Sequence, residues 1–191
     1  MTTIAVALTD RYADWEVALL MAEGRSFLGL DFVVATPAAR PVTSMGGMTA
    51  MPQAAIDTLD PNAFDALVVC GGESWQTQDA PDISATIRAF SQRGKLVAGI
   101  CAATLALARA GVLDDVAHPS NALELLEPTE AYHGRARYRN PAAAVSDANI
   151  ITAAGTAPVT FTAEIFRALG HGSPELDGYV AQFGQEFSAS A

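Results

Sequence analysis

Short apolar runs alternate along the chain with longer stretches whose apolar residues recur every three or four positions. Residues 3–8 are apolar from Ile4 onward and predict a buried first strand. A polar link follows, in which Asp10 or Asp14 is the expected helix N-cap. Residues 15–28 read as a helix with Val17, Leu20, Met21 and Phe27 or Leu28 toward the core, closed by Gly29. Phe32-Val33-Val34-Ala35-Thr36 is a second strand, stopped by Pro37. Residues 42–51 hold Gly46-Gly47 between two short runs and predict a hairpin arm; residues 52–65 read as a polar connection with one helical turn.

The same alternation continues. Residues 66–70 form an apolar strand followed at once by Gly71-Gly72. Residues 81–93 predict a helix with Ile83, Ile87 and Phe90 on one face, ended by Gly94. Leu96-Val97-Ala98 is a further strand, and an Ala/Leu-rich helix runs from Ala102 to near Gly111. Residues 121–126 allow one or two helical turns, and residues 132–140 are basic and irregular. Residues 143–145 and 150–153 read as paired strands, residues 159–169 as a helix with Pro158 at its start, and residues 174–187 as a last amphipathic segment. Solidly apolar strands alternating with helices mean that both sheet faces are covered. The expected fold is a doubly wound, mostly parallel α/β sheet flanked by helices, of the flavodoxin-like kind.

Composition narrows the picture. The 191 residues suffice for one domain with a real core, so a single domain over 1–191 is expected. Net charge is -10, and only Arg135, Arg137 and Arg139 come close together. Nucleic acids and anionic membrane surfaces are bound chiefly through positive charge, so neither is an expected partner. The N-terminus lacks a basic leader with a long apolar region, and no apolar run is long enough to span a bilayer. A reduced, cytoplasmic setting is therefore expected for Cys70 and Cys101. Met45, Met48 and Met51 are expected to pack the arm against the body or a partner rather than bind metal. Three scattered histidines give no ligand set, so no metal and no cofactor is expected.

The chemistry concentrates at Gly99-Ile100-Cys101-Ala102-Ala103, where a candidate nucleophile is bracketed by small residues. A sharp strand-to-helix turn brings the residues two before and two after its apex together, so both must be small. The apex side chain then stands at the strand end, where unpaired helix N–H groups would make a thiol easier to ionise. A free cysteine is also commonly a small buried apolar residue, but the Gly/Ala bracket favours the elbow. Glu16 is either an exposed first-turn residue favoured by the helix dipole or a partner of the thiol. His118 is either a loop histidine or a general acid/base. Gly71-Gly72 is either a tight turn or a place where backbone N–H groups approach a ligand. Cys70 reads as a core strand residue. In doubly wound sheets ligands bind beyond the carboxyl ends of the strands, where these residues gather.

The arrangement resembles the DJ-1/PfpI superfamily, within the wider class I glutamine-amidotransferase-like fold. The resemblance rests on Asp14-Trp15-Glu16, on VVCGG ending at Gly72 and on AGICAAT around Cys101. The stretches over residues 110–121 and 153–165 also fit. It implies that Cys101 is the elbow nucleophile in a strained backbone and that Glu16 is a protonated carboxyl beside the sulfur. It further implies that His118 is the histidine after the elbow helix, and that the N–H groups of Gly72 and Ala102 are oxyanion donors. A homodimer is implied too, with the arm near its contacts. Two departures limit the activity. His171-Gly172-Ser173 does not supply the late His-x-Glu pair of a glutamine amidotransferase, and Ala102 stands where protease-like members carry histidine.

The expected function is that of a cysteine-nucleophile enzyme acting on a small carbonyl or amide substrate, glyoxalase-like or amidase-like. A thiolate beside a carboxyl is sensible only if one proton is shared between them. The alternative is a redox-sensing or protective chaperone-like protein, because an exposed, easily ionised cysteine is the first to be oxidised.

Overall fold

The computed structural model describes residues 1–188 of the chain. Seven strands form one sheet: β1 (Thr3–Ala7), β2 (Asp31–Thr36), β5 (Ala54–Ala55), β6 (Ala66–Val69), β7 (Leu96–Ile100), β8 (Val145–Asp147) and β9 (Ile150–Ala153). Their spatial order is β5-β2-β1-β6-β7-β9-β8, and every pairing is parallel except that of the edge strand β8 with β9. A separate antiparallel pair, β3 (Val42–Thr43) and β4 (Thr49–Ala50), is the arm.

Side chains alternate across each strand and so feed two cores. Ile4, Val6, Val68 and Ile100 face α1 (Asp14–Leu28) and α5 (Pro158–Ala168), meeting Val17, Leu20, Phe161 and Ile165. Ala5, Ala7, Leu67 and Val69 face α2 (Ser84–Gln92) and α3 (Thr104–Arg109), meeting Ile87, Phe90 and Leu107. Both faces are thus covered, as a sheet of uninterrupted apolar strands requires. Two further helices, α4 (Leu123–Leu126) and α6 (Pro174–Ser188), lie outside the sheet layers. Among the described residues no helix is long and apolar enough to cross a membrane.

Several local expectations are resolved or corrected. Of the pair Phe27 or Leu28, Leu28 packs on the core with Met21, Val17 and Leu20, while Phe27 is 76% exposed. The N-cap of α1 is Ala13, because both expected caps are engaged with the arm. Asp10 Oδ1 accepts from the Thr43 N–H at 3.0 Å, and Asp14 Oδ2 accepts from the Gly46 N–H at 2.8 Å. The connection over residues 52–65 contains β5, an edge strand of two alanines too short for periodicity to reveal.

The chain runs outward from β1 to β2 and then returns to place β6 on the other side of β1. The crevice at such a reversal lies beyond the carboxyl ends of the two strands. Glu16 follows β1, Gly71 follows β6, and Cys101 follows the neighbouring β7.

Candidate active site

Cys101 has a backbone φ of 60°, in the left-handed region that a side chain with a Cβ adopts at a cost of about 1–3 kcal/mol. It opens a tight turn, Cys101–Ala103, before the six-residue α3. The strained peptide is held from behind. Thr104 Oγ1 donates to the Cys101 carbonyl at 2.7 Å, so the Ser120 hydroxyl must donate to Thr104 Oγ1, also at 2.7 Å.

Glu16 is completely buried against this turn. Its Oε2 accepts the Gly71 N–H at 2.7 Å and lies 3.9 Å from Cys70 Sγ. Its Oε1 has no hydrogen-bond partner and lies beside the Cys101 thiol against Gly155, where an added Cβ would meet Oε1 at 3.1 Å and Sγ at 2.9 Å. The exposed-residue reading of Glu16 is therefore set aside by its burial. Burial raises this carboxyl from 4.5 to about 7, against the hydrogen bonds from Cys101, Gly71 and Cys70 that favour its charged form.

The thiol behaves differently from the expectation drawn from the helix start. Burial first, then the negative charge of Glu16, push Cys101 from 9.0 up to about 11, outweighing the donors Asn121 and Ala102. A turn and a six-residue helix supply too little field to reverse that. Thiol and carboxyl titrate as a pair: the first proton leaves near pH 7, the second near 11, and one negative charge is shared in between. Cys70 is fully buried and its thiol is raised well above the ordinary range, chiefly by burial.

Gly71 packs against the Cys101 turn, and Gly72 packs against the loop after β1. A Cβ on Gly71 would meet Glu16 Oε2 and lie 2.6 Å from Cys101 Cβ, whereas one on Gly72 would lie 2.6 Å from the Arg11 carbonyl. The Tyr12–Gly72 bridge is made by the Ala13 N–H on the Gly71 carbonyl and the Glu73 N–H on the Arg11 carbonyl, so it does not consume the Gly72 N–H. Ala102 is the residue after Cys101 in the turn, and its N–H acts to lower the thiol pKa against the burial that raises it.

His118 does not join this group. Its ring is buried, with Nδ1 2.8 Å from the Val116 carbonyl and Nε2 2.8 Å from the Tyr132 hydroxyl. A carbonyl only accepts, so the proton sits on Nδ1 and Tyr132 donates to Nε2. The ring lies edge-on to Tyr132 and Tyr138, at 5.5 and 5.9 Å, and burial lowers its pKa. His118 thus anchors the segment that leads to Ser120 and Asn121. Replacing it by alanine is expected to cost about 3 kcal/mol of stability, through a cavity and two stranded polar groups. The pH profile of Cys101 alkylation should keep its inflections; a wave near pH 6.5 that vanished in the variant would make His118 a base for the thiol.

Asn121 takes the place beside the sulfur. Its Nδ2 donates to Cys101 Sγ at 3.1 Å, and its Oδ1 accepts the Gly155 N–H at 2.9 Å. A Cβ on Gly155 would lie 2.9 Å from Sγ, so only glycine allows this close approach. Trp15, 50% exposed, donates Nε1–H to the Gly155 carbonyl at 3.2 Å and borders the same turn. Asn121 stands twenty positions from Cys101 in an irregular segment, and no periodicity pointed to it. Among the described residues no group of three or more His, Cys, Asp or Glu is placed to hold a metal ion.

Comparison with known proteins agrees with this architecture. A family model described as the DJ-1/PfpI family matches residues 2–168. Two Bacillus subtilis (strain 168) proteins named as uncharacterized proteases are similar over most of their length. YoaZ is 31% identical over 171 residues, covering 85% of this chain and 81% of the relative. YdeA is 32% identical over 169 residues, covering 88% and 83%. A solved DJ-1 superfamily protein from Agrobacterium tumefaciens is 49% identical with a TM-score of 0.95, over 98% of this chain and 100% of that one. A thiJ/pfpI family protein from Bacillus anthracis is 30% identical with a TM-score of 0.85, over 94% and 90%. On the match over residues 2–168, on these relatives and on the shared fold, the chain belongs to the DJ-1/PfpI family.

Proposed function

We propose that the protein is a cysteine-dependent enzyme acting on small carbonyl compounds, with Cys101 as nucleophile and Glu16 as the group that moves protons. The observation that supports this most is the buried Glu16 carboxyl, whose only unpartnered oxygen faces a thiol held in a strained turn.

The chemistry follows from one shared proton. Glu16 as carboxylate takes the thiol proton while Sγ bonds to the carbonyl carbon and the C=O π pair moves onto oxygen. The N–H of Ala102, the residue next to the nucleophile, would hold the new oxyanion on the former carbonyl oxygen. Glu16 then returns the proton to that oxygen, giving a neutral hemithioacetal. With an α-oxoaldehyde, the same carboxylate removes the proton on the former aldehyde carbon and delivers it to the adjacent one, while the hydroxyl proton passes through the enediol to the former ketone oxygen. The product is a thioester of a 2-hydroxy acid, which water hydrolyses to the free acid and the thiol. No oxidant or cofactor enters the balance.

Amide hydrolysis, which the names of the Bacillus relatives suggest for those proteins, needs a proton donor to an amine leaving group. With both His118 nitrogens engaged elsewhere, Glu16 alone would have to serve it from a fully buried position. A small aldehyde asks only for the proton the pair already shares. Incubation with methylglyoxal tests the reading. Wild type is expected to consume it at a rate at least ~100-fold above Cys101→Ser, within the range that removal of a catalytic nucleophile produces. Equal rates in the two proteins would exclude the mechanism.

A further inference from the structure

The carbonyl reading has used only backbone donors for the oxyanion, and the Gly71 N–H is already given to Glu16. We infer that Asn121 is a catalytic residue whose side-chain amide holds the sulfur anion at rest and the substrate oxyanion after attack. The inference rests on the reading of Cys101 as a nucleophile and adds the group that completes its anion site.

The amide cannot sit the other way round. Gly155 N–H is a donor only, so the atom it meets at 2.9 Å is the carbonyl Oδ1, which turns the NH2 toward Sγ at 3.1 Å. An NH2 group carries two hydrogens. One reaches the sulfur, and Asn121 is exposed, so the other is open to the crevice. When Sγ bonds to carbon its charge passes to an oxygen two bonds away. The same nitrogen can then follow that charge without any rearrangement of the protein. An amide neither gives up nor takes a proton at ordinary pH, which fits a site where Glu16 does all the proton transfer. The position is fixed by the same segment that Ser120 ties to Thr104 and His118 ties to Tyr132.

The charged and titratable groups facing Cys101 are Glu16 from α1 and Cys70 from the end of β6, with neutral Asn121 and Ala102 as donors. Two substitutions separate the amide from its neighbours. Asn121→Asp keeps an oxygen for the Gly155 N–H but exchanges the NH2 for a negatively charged carboxylate oxygen; Asn121→Ala loses both donor and acceptor and adds no charge. The probe is 1,1,1-trifluoroacetone, whose thiol adduct has an acidic hydroxyl and is read by 19F NMR; iodoacetamide alkylation against pH reads the free thiol. Both variants are expected to bind the probe about 100-fold more weakly, the scale of losing one oxyanion donor, with the alkylation inflection moved to higher pH. A wild type that forms the adduct alongside an Asn121→Asp variant of equal affinity and equal alkylation profile overturns this inference alone. A wild type that forms no adduct overturns the nucleophile reading and this inference with it.

Discussion

Replacing Gly71 by alanine is expected to remove about 3 kcal/mol of stability and the reactivity of Cys101 together, the upper range for an overpacked site. The new methyl would press on Glu16 Oε2, lie 2.6 Å from Cys101 Cβ and lie 2.8 Å from the Ile100 carbonyl oxygen. None of these can yield cheaply. The carbonyl is backbone at the end of β7, Cys101 is already strained, and Glu16 is fully buried with its Oε2 tied to the Gly71 N–H. Gly155→Ala is the contrast. Its methyl would meet Sγ at 2.9 Å, a side-chain atom that can turn away, and Glu16 Oε1 at 3.1 Å, a contact relieved by a shift of a few tenths of an ångström. That variant should lose about 1 kcal/mol while its alkylation falls about tenfold, because the sulfur is covered. Urea midpoints and iodoacetamide rates for the two variants decide it. A Gly71→Ala protein with wild-type stability and reactivity would mean that the thiol and carboxyl are not packed on that glycine.

The parts of this site that the sequence made legible are those carried by local pattern. The central strands declared themselves as uninterrupted apolar runs, unlike the short edge strands β5 and β8, and Cys101 by the small residues that a strand-to-helix turn demands. Glu16 was an open question until its burial was seen, because a first-turn acid looks the same whether it faces water or a sulfur. His118 was placed in the site by chain proximity and family likeness, yet its ring is consumed by Val116 and Tyr132. Asn121, three residues further, reaches the sulfur instead. Nothing local separates the two, since the choice is made by how an irregular segment folds over the elbow. Gly71 and Gly72 differ by one step of the chain, yet Gly71 packs on the Cys101 turn and Gly72 on Arg11 and Tyr12, contacts between distant segments that no local pattern carries. Helix-start reasoning also misjudged the thiol, because a field argument omits the desolvation and the neighbouring carboxylate that dominate here.

Glu16→Gln should make Cys101 easier to alkylate and at the same time abolish turnover. In the wild type the carboxylate repels a second negative charge, which together with burial holds the thiol up to about 11. Glutamine keeps an oxygen for the Gly71 N–H, presents an NH2 toward the sulfur and carries no charge. The alkylation profile, two-step in the wild type with inflections near 7 and 11, should collapse to one step. That step should fall at least about one unit below the upper inflection, so the variant reacts about tenfold faster at pH 9. Carbonyl turnover should nevertheless fall by about 100-fold or more, because glutamine cannot carry the proton from sulfur to substrate. The stability of the fold supplies an independent reading. Raised from 4.5 to about 7, Glu16 retains in the folded protein a proton that the unfolded chain has already lost across that window. Its contribution is fully present below pH 4.5 and is lost as pH rises through 7, amounting to about 3 kcal/mol. Between pH 4.5 and 8 the wild type should therefore lose stability relative to Glu16→Gln, seen as diverging urea midpoints. Parallel midpoints across that range would mean that Glu16 titrates like an exposed carboxylate, and a neutral acid beside the thiol would have no basis.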